Sequence, residues 1–175
     1  MTQVVFITGD MGSGKTTLCH RVVDAFKTRG IDVAGALTLP RFANGEKIGM
    51  DVMNARTSEQ RALAKRAEMG HGTAGLRWQF DEVGLAFGER ALRESIPCEV
   101  LVVDELGPLE LLHGKGWTVG IAVLQSRQYD FAFVVIRLSL LENLRVRLNG
   151  IDSQSFTVTP ANRDELYEQL KNILE

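Results

Sequence analysis

The sequence predicts an α/β fold of three layers, in which a mainly parallel central sheet is flanked by helices. Three short apolar runs, at residues 4–7, 100–103 and 131–136, have the length and composition of strands buried on both faces. Helical patterns separate these runs along the chain, as expected for parallel strands joined by right-handed crossovers. In such a sheet the ligand site lies at the carboxyl ends of the strands.

Five helices are predicted from apolar residues that recur at three- and four-residue spacing. The first runs from Lys15 to about Arg29, and the second runs to Ser95 with Asp81 as its N-cap. The other three are expected near 117–127, near 140–148 and from 161 to the end of the sequence. A strand is expected immediately before the last of them.

A β-hairpin is predicted at about 33–55. An apolar stretch reaches Leu39, the turn sequence Asn44-Gly45-Glu46 follows, and apolar residues then alternate with other residues through Val52. The predicted element order contains nothing between this hairpin and the second helix. The segment from Thr57 to Gly75 is polar and weakly patterned, so it is predicted to be a mobile region.

Length and charge narrow the possible classes of protein. The 175 residues fit one domain, spanning 1–175, and the net charge of −2 with a pI near 6.0 gives no reason to expect a nucleic-acid partner. No apolar stretch approaches the roughly 20 residues of a membrane span, and the first residues lack the positive region of a signal peptide. We therefore expect a cytoplasmic monomer that does not bind a membrane.

Cys19 and Cys98 stand alone, without the spacing of a zinc site or a disulfide framework.

A glycine-rich loop follows the first predicted strand and leads into the first predicted helix. Its pattern is Gly9, four further residues, then Gly14-Lys15-Thr16, and this context indicates a phosphate-binding loop. The glycines let successive backbone N–H groups point at phosphate oxygens, and the helix dipole adds positive potential. Lys15 would contact the β and γ phosphates. The residues predicted to bind the nucleotide are Gly9, Asp10, Met11, Gly12, Ser13, Gly14, Lys15, Thr16 and Thr17.

An acidic pair ends the second apolar strand. Asp104 is predicted to hold Mg²⁺ together with the hydroxyl of Thr16, because both supply the hard oxygens that this ion prefers. Glu105 is placed to orient a water molecule for attack at the γ phosphorus. The alternative for both carboxylates is a solvated acidic pair. If the functional interpretation is correct, Lys15 and Glu105 are catalytic and Mg²⁺ is the cofactor.

The whole chain resembles the THEP1 nucleoside-triphosphatase family. The resemblance is carried by Gly9 to Thr17, by Ile48 to Val52, by the acidic stretch Val103 to Leu111 and by Thr159 to Arg163. It implies a P-loop NTPase fold and magnesium-dependent hydrolysis of nucleoside triphosphates to diphosphates, with loose base preference. Members often carry proline where this chain has Met11, and residues 58–78 match poorly.

The resemblance also includes Glu110, which either binds backbone N–H groups of the loop after Asp104 or faces solvent. Arg137 follows a predicted strand and is a candidate catalytic arginine finger, the alternative being a structural ion pair. Asn162 and Arg163 are predicted to contact the nucleotide, mainly on the resemblance. Trp78 and Trp117 are interpreted as core or interface residues rather than platforms for the base.

Two other functions use the same loop. One is a kinase that transfers the γ phosphate to a small-molecule acceptor bound by the unassigned 57–78 segment. The other is an adaptor or switch whose loops order around the γ phosphate and which turns over slowly.

Overall fold

The structure is a computed structural model that describes residues 2–68, 71–73 and 77–174, with the side chain of Glu105 outside the described part. Eight strands and six helices are formed by these residues. In chain order they are β1 (Gln3–Thr8), α1 (Lys15–Thr28), β2 (Val33–Ala43), β3 (Glu46–Asn54), β4 (Gln60–Arg66), β5 (Trp78–Phe80), α2 (Glu82–Arg93), β6 (Cys98–Leu106), α3 (Pro108–Leu111), α4 (Val119–Ser126), β7 (Tyr129–Ile136), α5 (Leu138–Arg147), β8 (Asp152–Thr157) and α6 (Arg163–Lys171).

All eight strands belong to one sheet, in the order β5-β4-β3-β2-β6-β7-β1-β8. The five strands from β2 to β8 in that order pair in parallel, whereas β3, β4 and β5 extend the sheet in antiparallel fashion. The prediction of a mainly parallel α/β sheet is confirmed. The hairpin is also present, and its turn at Asn44 and Gly45 has positive φ at both residues, as a tight hairpin requires.

Helices cover both faces of the parallel strands. Alternate residues of β1 point to opposite sides, so that Val4 and Phe6 belong to the core cluster that includes residues of α2, α4 and α5, whereas Val5 and Ile7 belong to the cluster that includes residues of α1 and α6. The same alternation runs through β6 and β7. The three predicted layers follow from strands that bury both of their faces. None of the helices formed by the described residues is long and apolar enough to cross a membrane.

The main error of the sequence-based prediction is that it places no strand between the hairpin and the second helix. Residues 60–66 form β4, which pairs with β3 on one side and β5 on the other, and they are therefore not a loop. Leu63 and Ala64 are its only buried residues, and arginine and lysine side chains surround them. Two apolar residues between charged ones do not show the alternation by which a strand is recognised in the sequence. Of the segment predicted to be mobile, residues 69, 70, 74 and 75 lie outside the described part.

Gly84 sets how closely α2 approaches β4. A Cβ added to Gly84 would lie 2.0 Å from the carbonyl oxygen of Ala62. Because that neighbour is backbone, α2 would have to move away from the sheet to accommodate a side chain.

Gly84→Ala should therefore destabilise the protein by about 1–3 kcal/mol, although Ala is favoured over Gly in an exposed helix by about 1 kcal/mol. The measurement is the free energy of unfolding from urea denaturation. Val83→Ala is the control, since Val83 precedes Gly84 in the same helix and is 69% exposed, and its effect should stay within about 0.5 kcal/mol. A Gly84→Ala protein more stable than wild type would contradict the packing described here.

Candidate nucleotide-binding site

The glycine-rich loop connects the carboxyl end of β1 to the first turn of α1. Gly9 and Gly14 have φ of 141° and 95°, values that residues with a Cβ rarely adopt, and Gly14 is the N-cap of α1. A Cβ on Gly9 would lie 2.5 Å from the carbonyl oxygen of Val158. The loop therefore turns tightly against the end of β8 and delivers the amide groups of the α1 N-terminus to one place.

Lys15 lies over the loop that precedes it. Its Nζ atom donates hydrogen bonds to the carbonyl oxygens of Gly9, at 2.9 Å, and Asp10, at 2.7 Å. Ser13 is buried within the loop, and its hydroxyl has no hydrogen-bond partner among the described residues. The loop thus holds an ammonium group and an unsatisfied hydroxyl where the motif predicts phosphate oxygens.

Asp104 joins the loop to the strand β6. Its Oδ1 atom accepts a hydrogen bond from the Thr16 hydroxyl at 3.3 Å, and its Oδ2 atom accepts from the backbone N–H and the hydroxyl of Thr38, at 3.0 and 2.9 Å. Asp104 is fully buried, so these donors replace the water that its carboxylate loses. The two segments that the sequence singled out, 88 residues apart, therefore meet at one point.

Thr38 was missed by the sequence analysis. It is a polar residue in the apolar part of β2, and β2 pairs in parallel with β6, so that Thr38 reaches the end of the strand that carries Asp104. A lone threonine in an apolar strand was the available signal. Its partner could not be known without the pairing of the two strands.

Glu110 is buried and bridges two backbone groups. Its Oε2 atom accepts a hydrogen bond from the N–H of Gly107 at 2.9 Å, and its Oε1 atom accepts from the N–H of Trp117 at 3.0 Å. Of the two alternatives given for Glu110, the backbone-binding one is correct. The carboxylate fixes the loop that follows β6, including the unpredicted short helix α3, immediately after Asp104 and Glu105.

Glu105 lies in β6, beside Asp104 in the chain. Its side chain is outside the described part of the structure. Its assignment as the residue that orients the attacking water remains a prediction.

Arg137 lies at the same edge of the sheet as the phosphate loop. It is the N-cap residue of α5, it is exposed, and it borders the same cavity as Met11 and Thr38. Among the described side chains no carboxylate pairs with Arg137, so the alternative of a structural ion pair finds no support there.

The predicted contacts Asn162 and Arg163 lie on the opposite side of the loop, after β8. The Asn162 side chain forms hydrogen bonds within its own turn. Its Oδ1 atom accepts from the N–H of Thr159 at 2.8 Å, and its Nδ2 atom donates to the carbonyl oxygen of Thr157 at 2.9 Å. Arg163 packs on Gly14, where its Nη1 atom would lie 2.9 Å from a Cβ. Its Nε atom is buried without a partner among the described residues. The geometry thus brings Arg163 to the loop, whereas Asn162 shapes the turn that presents it.

Trp117 and the two cysteines are structural. The Trp117 ring is buried and its Nε1 atom donates to the carbonyl oxygen of Leu85 at 3.0 Å, as its interpretation as a core residue implies. Burial, and after it the nearby Asp104 carboxylate, raise the pKa of the Cys19 thiol well above its usual value. Burial also raises the pKa of Cys98 to about 11. Both thiols are therefore protonated at neutral pH and are poor nucleophiles.

The fold and this site together define a P-loop nucleotide-binding protein. The family model described as NTPase matches residues 4–171. The chain is 32% identical over 172 residues to nucleoside-triphosphatase THEP1 of Thermofilum pendens, covering 94% of this chain and 91% of that protein. It is 29% identical over 174 residues to nucleoside-triphosphatase THEP1 of Caldivirga maquilingensis, covering 99% and 98%. The chain belongs to the NTPase family.

The solved structures agree on the fold. The solution structure of a human cancer-related nucleoside triphosphatase superposes with a TM-score of 0.70 at 24% sequence identity, covering 99% of this chain and 97% of that one. At this level of identity the likeness concerns the fold alone.

Thr38→Val removes one hydrogen bond from a fully buried carboxylate while preserving the shape of the side chain. We expect a loss of about 1.5–3 kcal/mol in the free energy of unfolding, because the bond is to a charged group. Thr8→Val is the matched control: Thr8 is equally buried, but its hydroxyl has no partner among the described residues, so its replacement should be neutral or stabilising. Equal effects of the two substitutions in urea denaturation would contradict the role given to Thr38.

Proposed function

We propose that this protein is a magnesium-dependent nucleoside-triphosphatase, which hydrolyses nucleoside 5′-triphosphates such as ATP and GTP to the diphosphate and phosphate. The observation that carries the proposal is the hydrogen bond between Thr16 of the phosphate loop and Asp104 at the end of β6. The proposal is supported by this contact because it joins the predicted phosphate-binding loop to the carboxylate that is predicted to hold the metal ion. Membership of the NTPase family supports the same reaction.

The phosphate chain would lie across the N-terminus of α1. The loop amides and the helix dipole would stabilise its negative charge, as helix N-termini do for anions in general. Lys15 would exchange its two carbonyl partners for β- and γ-phosphate oxygens, an exchange of neutral acceptors for charged ones that favours binding. The buried Ser13 hydroxyl would find an acceptor in the same chain of phosphates.

The residues at the metal end suit Mg²⁺. Thr16 Oγ1 and Asp104 Oδ1 are two hard oxygen donors 3.3 Å apart, and they would hold the ion directly or through its water molecules. When bound, Mg²⁺ neutralises charge on the β and γ oxygens. Thr38 would keep the Asp104 carboxylate oriented for this task, since its N–H and its hydroxyl both donate to the Oδ2 atom.

Hydrolysis further needs a group that orients water and one that stabilises the charge of the transferring phosphoryl group. We assign the first role to Glu105, which follows Asp104 directly, and the second to Arg137. The role assigned to Arg137 is supported by its position at the edge of the cavity that Thr38 and Met11 also line. Arg163, whose Nε atom is buried without a hydrogen-bond partner among the described residues, would contact the nucleotide on the side away from the metal. We propose loose base preference, because the names of the relatives specify nucleoside triphosphates without naming a base.

We further propose that the active protein is a cytoplasmic, single-domain monomer without a nucleic-acid partner. The continuous sheet and the family match over residues 4–171 support one domain. The net charge of −2 gives no general attraction for nucleic acid, and both cysteines are free, as is usual in a reducing compartment.

A small-molecule kinase is the second candidate. It is favoured by a cavity beside Thr38, whose walls include Leu63 and Trp78 of the segment that the sequence leaves unassigned. The two reactions separate cleanly in one assay. Phosphate released from ATP and Mg²⁺ without an added acceptor supports hydrolysis, and turnover only in the presence of an acceptor supports the kinase.

Lys15→Ala should weaken triphosphate binding and abolish turnover, because the ammonium group that faces the β and γ phosphates is lost. Binding is measured by calorimetry and turnover by phosphate release with Mg²⁺. Lys65→Ala is a control with the same change of charge, since Lys65 is exposed on β4. Turnover by Lys15→Ala at a rate close to that of wild type would remove Lys15 from the site.

Glu105→Gln should retain triphosphate binding but lose about 10²-fold or more in kcat, because the amide cannot accept a proton from water. Glu89→Gln, at a half-buried position of α2 where Glu89 pairs with Arg93, controls for the change of charge. A Glu105→Gln enzyme with a normal rate would exclude Glu105 as the group that activates water, while leaving the phosphate and metal assignments in place.

A further inference from the structure

A cavity of about 170 Å³ opens beside the metal end of the candidate site. Its walls are mostly apolar and come from β3, β4, β5, α2 and the loop after β6. The side chains that give it this character are Met50, Leu63, Trp78, Phe80, Leu85 and Trp117. Trp78 and Phe80 are only half-buried, so aromatic surface remains accessible to a ligand.

The order of the strands shows which end of the nucleotide the cavity would adjoin. The phosphate loop follows β1, with β7, β6 and β2 on one side and β8 on the other. The cavity is bordered by Thr38 of β2 and by Met11, whereas Arg163 packs on the loop from the β8 side. It therefore lies next to the γ phosphate in the proposed pose and is separate from the base.

The rim of the cavity is positively charged. Arg77 is exposed, its Nη1 atom lies 3.6 Å from the sulfur of Met11, and no carboxylate among the described side chains pairs with it. Among the described residues that line the cavity, Glu110 has the one carboxylate, and it is bound to the N–H groups of Gly107 and Trp117. Arg77 is consequently available to a ligand, while Arg137 serves the transferring phosphoryl group.

We infer that this cavity is a second ligand site, which takes a small molecule with an apolar body of about one ring and a single carboxylate that pairs with Arg77. The size follows from the volume, which is well below the roughly 300–1,000 Å³ of sites for drug-sized ligands. The apolar walls favour the ring, and the exposed guanidinium of Arg77, which pairs with no carboxylate among the described side chains, favours the carboxylate. The inference rests on the cavity itself and does not require that the protein hydrolyse nucleotides.

The test is a binding titration followed by fluorine NMR, with 4-fluorophenylacetate as the probe and its neutral amide as the matched compound. Leu85→Trp fills the cavity, and Val83→Trp places the same ring on the exposed side of the same helix. We expect wild type and Val83→Trp to bind the carboxylate alike and Leu85→Trp to lose at least tenfold in affinity. Arg77→Gln should weaken the carboxylate about two- to fivefold and leave the amide unchanged.

Absence of binding to wild type, or equal binding by Leu85→Trp and Val83→Trp, would overturn the inference. Equal affinities of wild type and Arg77→Gln for the carboxylate would overturn the pairing of the ligand with Arg77. Because Arg77 is exposed, its replacement should not prevent folding. Phosphate release is measured separately on the same samples. If wild type binds the probe but releases no phosphate, the proposed hydrolysis has failed and the second ligand site stands. If wild type releases phosphate but does not bind the probe, the second ligand site has failed and the proposed hydrolysis stands.

Discussion

The buried carboxylate of Asp104 is the group on which the arrangement of the site depends. A charge that is fully buried is tolerated only when donors replace its lost hydration. Here Thr38 supplies two of those donors and Thr16 supplies another. The three residues come from β6, β2 and the start of α1, so satisfying one carboxylate fixes the relative position of three elements.

The parallel arrangement explains why this cluster forms at the edge where ligands bind. The loop after β1, Asp104 near the end of β6 and Arg137 after β7 all lie at the carboxyl ends of strands that run in the same direction. Their side chains therefore collect at one edge although they are distant in sequence. Glu110 then holds the loop after β6 through two backbone N–H groups, which limits the movement of the segment next to the predicted water-orienting residue.

The parts of this structure that could be predicted from sequence are those with a strong local signal. Strands buried on both faces give continuous apolar runs, and the loop at Gly9 to Thr17 has a pattern that few other structures share. By contrast, β4 shows only Leu63 and Ala64 as buried residues, and its stability comes from pairing with β3 and from contact with α2. The role of Thr38 likewise depends on which segments become neighbours, because its partner Asp104 lies on another strand, and that information is not local.

The central claim is that the phosphate loop and Asp104 bind one polyphosphate through a shared metal ion. The most direct measurement is a crystal structure with Mg²⁺ and a non-hydrolysable triphosphate. We predict the γ-phosphate end at Lys15 and the ion between Thr16 and Asp104. A triphosphate bound away from the loop, or an ion with no contact to either Thr16 or Asp104, directly or through water, would contradict this account.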